Sequence, residues 1–474
     1  MMQDFIELDV QTQSKQTLEE VSFAAPEALA IPDLDLNLAA LDFNNIPEWK
    51  AAEYTAAIMW LTAYEPEPGA SNLELVRGYL EGFYHFCEVE AWEEAKKIIF
   101  TRPNTPSNND LHNQLYIWGY YREQLELYNR TLGKFSPNID AILFNGMGTA
   151  YQALGDSSKA LKCYQQNFPI AKEIQDHKSE EVTLKNIGVA YAALGDYGKA
   201  IKYYQQSLLI AKRIRDREGK GQALGGLGSA YAVLGNYTKS IDYYRQSLEI
   251  AQEIQDRRGE QQTLGNLGNT YAALGDYDKA IEYYQQSLEI AKEIEDRRGK
   301  GETLGNLGNA YIAIGDHVKG IEYQQQYLAT MREIQSYSGE GIALGNLGNA
   351  NFCRGDYTNA IKYYQQSLEI AREIQSQEEE GNILYFLGIS LIKLGQYSEA
   401  LEYLKASLEI CKIIDTPLTE ALVLWSLAEL SQQLEIRPQA IEFCNRALSI
   451  ATELGIPLAQ ECQNLKEKLL SEPA

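Results

Sequence analysis

The most constraining feature of this 474-residue chain is a period. The segment LKNIGVAYAALGDYGKAIKYYQQSLLIAK from Leu184 returns 40 residues on as LGGLGSAYAVLGNYTKSIDYYRQSLEIAQ from Leu224, then as LGNLGNTYAALGDYDKAIEYYQQSLEIAK from Leu264. The pattern runs through eight blocks from 141 to 460 with no residue inserted or deleted. Such constancy belongs to stacked units, each packed on its neighbours, where a slip in one would spoil two interfaces. Length then measures repeats and not domains.

Each block carries two helical patterns. In the block at 261, Leu264, Leu267, Gly268 and Tyr271 fall on one face at helical spacing. Gly275 is placed to end that helix, because glycine enters the left-handed region without steric cost. Asp276 is placed to cap the next helix. That second helix puts Tyr277, Ala280, Ile281, Tyr284, Leu288, Ala291 and Ile294 on one stripe, with Lys279, Glu282, Gln285, Glu289 and Lys292 opposite. Gly268 and Ala280 let two backbones approach closely, which accounts for a mid-helix glycine that costs about 1 kcal/mol. The polar Asp-Arg-Arg-Gly stretches at 256–259 and 296–299 read as linkers between blocks.

The Leu-x-x-Leu-Gly-x-x-Tyr run, the Gly-x-Tyr turn and the Ala-x-x-x-Tyr of the second helix resemble the tetratricopeptide repeat (TPR) family. Leu264, Leu267, Gly268, Tyr271, Gly275, Tyr277, Ala280 and Tyr284 carry the resemblance, which extends over about two-thirds of the chain. The usual TPR is shorter, so the extra residues are expected to lengthen the second helix. In that respect the chain is similar to Pins/LGN scaffolds and to cyanobacterial TPR proteins. The resemblance implies an all-α fold, a right-handed superhelical solenoid of stacked helix-turn-helix repeats.

Departures from the pattern locate the rest of the organisation. The block at 301 has His317, Gly320, Gln324 and Tyr327 where its neighbours have Tyr, Ala, Tyr and Ser, which reads either as a ligand pocket or as repacking between repeats. Asn351 takes a tyrosine slot. From 421 the signature fades through Ala428, Ser431 and Glu435, as suits a capping unit. Residues 46–140 read as a helical region: one amphipathic helix at 48–63 and two degenerate hairpins at 72–100 and 108–132. The eight repeats occupy 141–460, and 461–474 is the end of a capping helix with a tail.

Charge and composition exclude several function classes. The net charge is -24, and residues 1–140 hold 9 Lys and Arg against 23 Asp and Glu. Nucleic acid is therefore not expected as a partner, since phosphate binding needs a surplus of Lys and Arg. The acidic first ten residues are not a secretory signal, and no apolar run of about 18 residues occurs, so no membrane insertion is expected. The six cysteines are scattered without a C-x-x-C and read as buried thiols of a cytoplasmic protein. No P-loop, H-E-x-x-H or Cys/His ligand spacing is present, so no cofactor, metal or catalytic site is expected.

The face of the first helix opposite its core stripe carries Gln262, Gly265, Asn266, Asn269 and Ala273. The next two blocks put Glu302, Gly305, Asn306, Asn309 and Ala313, then Ile342, Gly345, Asn346, Asn349 and Cys353, in the same places. A solvated face would carry Lys and Glu. A ladder of amides, each both donor and acceptor, suits the alternating N–H and C=O groups of an extended peptide. In TPR proteins the first helices line the concave groove, and in the Pins/LGN type groove asparagines hold a partner's backbone. The resemblance therefore implies Asn266, Asn269, Asn306, Asn309, Asn346 and Asn349 as peptide-binding residues, with Asn186 a weaker member; the competing reading is that these amides serve packing or capping.

The function expected is a non-enzymatic protein–protein interaction scaffold, with a protein or peptide partner held along the groove. Two alternatives stand beside it: a sensor arm for a separately encoded NB-ARC-type ATPase or effector, and a self-assembling structural adaptor. The acidic segment 1–45 has nine acids and one base, and IPDLDLNLAALDF at 31–43 alternates Leu with Asp and Asn. It reads as a disordered tail, an extra packed helix, or an internal pseudo-ligand for the groove.

Overall fold

A computed structural model describes residues 30–31, 36–37, 43, 45–103, 105 and 109–471. The pseudo-ligand reading of 31–43 rests largely on residues outside these. Ala30–Ile31 and Leu36–Asn37 pair antiparallel as two-residue strands; every other regular element among the described residues is helical. The protein is all-α and built of stacked helix pairs. It divides into two compact units, Met1–Ile214 and Arg215–Ala474.

The first helix of the N-terminal unit, Glu48–Ala63, buries only Ala51, Ala57 and Ile58. The hairpin Arg77–Glu88 with Trp92–Ile99 follows, and then Leu111–Ile117 with Tyr121–Thr131. Its two regular repeats are Pro137–Ala153 with Ser157–Glu173 and His177–Ala193 with Tyr197–Ile214. The C-terminal unit holds six hairpins between Arg217 and Leu454, closed by helix Leu458–Ser471.

The repeat at 257–293 shows why these residues fold so. Helix Arg257–Ala273 buries Leu264, Leu267, Gly268 and Tyr271, and helix Tyr277–Glu293 buries Ala280, Ile281, Tyr284, Leu288 and Ala291. A Cβ placed on Gly268 would lie 2.5 Å from Tyr284 Cδ1, so glycine is what lets the tyrosine ring lie on the helix backbone. Gly275 takes φ 78°, and Asp276 N–H donates back to Tyr271 O at 3.0 Å, closing the helix by a left-handed cap. Asp276 then accepts from Lys279 N as the next N-cap.

Two expectations are corrected. The stretch at 256–259 is not a linker: Asp256 is the N-cap, accepting from Gly259 N at 2.9 Å, and Arg257, Arg258 and Gly259 form the first helical turn. The link between repeats is shorter, a single residue in the left-handed region: Gln255, Glu295, Gln335 and Gln375 have φ between 54° and 58°. The second helix is not the longer of the pair either, since both helices of this repeat have 17 residues.

The tyrosine excess is absorbed by two packing devices. Tyr191–Tyr203, Tyr231–Tyr243, Tyr271–Tyr283 and Tyr311–Tyr323 stack within their repeats, with centroids 5.4–5.5 Å apart. Tyr204, Tyr244, Tyr284 and Tyr364 lie buried over a first-helix glycine. Five cysteines are buried, but Cys353, the last residue of helix Tyr337–Cys353, is exposed. No helix among the described residues is long and apolar enough to cross a membrane.

Candidate functional site

From helix Arg257–Ala273 to helix Pro417–Gln433 each first helix packs on its own second helix and on the second helix before it, and touches the neighbouring first helices. The face left over is the one bearing the asparagines. Asn269 and Asn309 are exposed, while Asn266, Asn306, Asn346 and Asn349 are half-buried. Asn186 lies in the other unit, where its Nδ2 donates to Asn145 Oδ1 at 3.1 Å.

The amides are not free at both ends. Tyr284 OH donates to Asn269 Oδ1 at 2.6 Å, and Tyr364 OH to Asn349 Oδ1 at 2.7 Å. Burial raises the pKa of both phenols, so they stay protonated donors. In the repeat between them, Gln324 replaces the tyrosine and donates from Nε2 to Asn309 Oδ1 at 2.8 Å. Neighbouring repeats are joined as well: Asn306 Nδ2 donates to Asn269 Oδ1 at 3.1 Å, and Asn346 Nδ2 to Gln324 Oε1 at 3.4 Å.

These bonds fix which way each amide faces. Asn269, Asn309 and Asn349 spend their oxygens inside the protein and keep Nδ2 donors for the outside. Asn306 and Asn346 each use one amide hydrogen inside the protein and keep Oδ1 as an acceptor beside the second hydrogen. Asn266 makes no side-chain hydrogen bond among the described residues. Packing and surface recognition are thus served by opposite ends of the same side chains. The face offers a row of donors beside a row of acceptors, the complement of an extended backbone.

The ladder stops after three repeats, and a recess opens at each end. In the repeat before it, Gly226 and Ser229 take the amide slots; there a recess of about 310 Å³ is lined by Ser229, Val233, Tyr237, Tyr244, Asn266 and Asn269. In the repeat after it, Phe386 and Ile389 take those slots, and a recess of about 140 Å³ lies among Asn346, Asn349, Tyr364, Glu379, Asn382 and Phe386. Between them the corresponding space is filled. Tyr327 is buried with its Cδ1 3.2 Å from where a Gly305 Cβ would stand, whereas Gly265 and Gly345 face only a serine hydroxyl. The unusual residues of that repeat are therefore repacking: Gln324 takes over the bond to the asparagine, and Tyr327 supplies the ring one turn later. Sequence reasoning missed both recesses, although the broken amide slots at 226, 229, 386 and 389 were the available signal.

Among the described residues no group of His, Cys, Asp and Glu side chains is placed to hold a metal ion. Residues 179–253, 260–333 and 340–413 match the tetratricopeptide repeat family. The chain carries tetratricopeptide repeats. No curated protein sequence matches it. Among solved structures, a signal transduction ATPase with numerous domains from Pyrococcus horikoshii, which has a TPR sensor, is similar at TM-score 0.57 and 17% identity, over 90% of this chain and 66% of that one. The apo form of the quorum sensor NprR from B. thuringiensis is similar at TM-score 0.51 and 15% identity, over 72% of this chain and 99% of that one. At these identities the likeness is one of fold.

Proposed function

We propose that the protein is a non-enzymatic scaffold whose C-terminal unit holds an extended peptide segment of a protein partner on the first-helix face. The observation that carries this is the fixed orientation of the amides. Asn269, Asn309 and Asn349 have their oxygens occupied and their N–H donors left over, while Asn306 and Asn346 have Oδ1 left over beside a second amide hydrogen. A solvated helix face has no use for such an arrangement, and an exposed amide costs helix stability relative to Lys or Glu. Asn186 serves a lesser role in the N-terminal unit. The kinship to Pins/LGN scaffolds belongs to this reading, as does a cytoplasmic setting.

The test is a pull-down with wild type, the variant Asn269/Asn309/Asn349→Ala, and the comparison variant Tyr284→Phe/Tyr364→Phe. The comparison variant keeps the amides but removes the hydroxyls that orient two of them. Loss of the partner in the first variant, with a smaller loss in the second, supports the reading; retention by the first variant overturns it. A second reading, a sensor arm acting with a separate ATPase, is favoured by the likeness over most of the chain to the ATPase with a TPR sensor. It is compatible with the same face, and it predicts that a captured partner hydrolyses ATP.

A further inference from the structure

The recess at the C-terminal end of the ladder carries a carboxylate at a position where the earlier repeats of the same unit have glycine. The third residue of each first helix is Gly219, Gly259, Gly299 and Gly339 in four successive repeats, and then Glu379. In the four glycine repeats the N-cap side chain accepts from that glycine's N–H: Asp216, Asp256, Asp296 and Ser336 do so at 2.9–3.3 Å. At the fifth, Ser376 makes no side-chain cap bond. The chain gives up a cap, ordinarily a stabilising feature, at the helix where a carboxylate enters the recess.

Glu379 has no hydrogen-bond or ion-pair partner among the described residues, unlike Glu380, which pairs with Arg372 at 2.7 Å. Burial raises its pKa, with a contribution from Glu378, so the recess holds a carboxylate that nothing in the protein neutralises. Asn346 Oδ1 accepts no hydrogen bond among the described residues and adds a second acceptor, while one of its amide hydrogens goes to Gln324. Tyr364 and Phe386 stack at 5.6 Å with their planes 15° apart, and Ile342 and Ile383 supply aliphatic wall.

We propose that this recess binds a cationic side chain, a lysine or arginine, of the segment held on the amide ladder. The proposal rests on the peptide-binding reading of that face. Carboxylate and amide oxygens receive the N–H donors, while the apolar walls take the aliphatic stem. An anionic side chain meets the carboxylate, and a neutral one leaves its desolvation uncompensated. The net charge of -24 adds a long-range bias toward a basic partner.

The experiment pans a phage-displayed library of random dodecapeptides against the full chain as wild type and as Glu379→Gln. The expected result is a Lys or Arg at one fixed position among wild-type binders, absent from Glu379→Gln binders. A selected peptide should bind Glu379→Gln on the order of tenfold more weakly. Its norleucine analogue should lose the same factor against wild type and nothing further against the variant, closing a double-mutant cycle. Far-ultraviolet circular dichroism verifies that the variant folds. Binders with no basic position, or equal affinity for wild type and Glu379→Gln, overturn the cation site while the peptide-binding reading stands. If wild type selects no peptides, both fall; if Asn269/Asn309/Asn349→Ala loses every peptide whatever its charge, the ladder is upheld separately.

Discussion

Two glycines three residues apart in helix Arg257–Ala273 are predicted to respond to alanine with opposite signs. Replacing a mid-helix glycine by alanine gains about 0.5–1 kcal/mol from restricted unfolded-chain entropy and helix propensity. At Gly265 nothing opposes that gain, because an added Cβ meets nothing closer than Ser287 Oγ at 3.7 Å. At Gly268 the Cβ would stand 2.5 Å from Tyr284 Cδ1. The ring cannot swing aside cheaply: it is 3% exposed, and its hydroxyl is tied to Asn269. Overpacking of this kind costs about 1–3 kcal/mol, which outweighs the gain, and the loss of the tyrosine–asparagine bond adds about 1 kcal/mol more. Gly308→Ala should be destabilising as well, because its Cβ would stand 2.6 Å from Nε2 and 2.8 Å from Cγ of Gln324, a buried side chain held by Gly305 O and Asn309. Urea unfolding followed by circular dichroism places the Gly265→Ala midpoint above wild type and the Gly308→Ala and Gly268→Ala midpoints below it. A Gly268→Ala midpoint at or above wild type, or a Gly265→Ala midpoint below it, refutes the assignment of these glycines to packing against tyrosine.

Removing the N-cap bond by Asp256→Ala should lower stability by about 0.5–2 kcal/mol, whereas Ser376→Ala, at a helix start without a side-chain cap bond, should leave the urea midpoint unchanged. Equal effects would contradict the difference between those two helix starts. Native thiol titration with a disulfide reagent should show one fast cysteine of six, and Cys353→Ala should remove that phase. The other thiols wait for unfolding, since burial hides them and pushes Cys87 up to about 12 and Cys163 and Cys462 up to about 11. Two or more fast thiols would contradict the burial of the repeat cores.

The helix pairs were legible because they are written eight times: the leucine stripe, Gly275 and Asp276 each perform the task their chemistry suggests. The link after the second helix was not, because Gln255 and Glu295 occupy the left-handed region without being glycine, so no residue type announces the turn. The length of the first helix was misjudged for the same reason, with Asp256 read as linker where it is a cap. At the candidate site the asparagines were visible as residue types on one face. Their orientation was not, since it depends on Tyr284 and Gln324 reaching across from the second helix, 15 residues along the chain. A buried tyrosine reads the same in sequence whether or not its hydroxyl aligns an amide.

The most direct test of the account is the affinity of one panned peptide for three proteins, read by fluorescence anisotropy: wild type, Asn269/Asn309/Asn349→Ala and Tyr284→Phe/Tyr364→Phe. Each lost backbone bond is worth about 0.5–1.5 kcal/mol, so the triple variant should bind at least tenfold more weakly while circular dichroism shows the fold retained. The tyrosine variant keeps the amides but loses the bonds that orient two of them, so it should bind more weakly than wild type and more tightly than the triple variant. Equal affinity for wild type and the triple variant would contradict the claim that the first-helix amides hold the peptide.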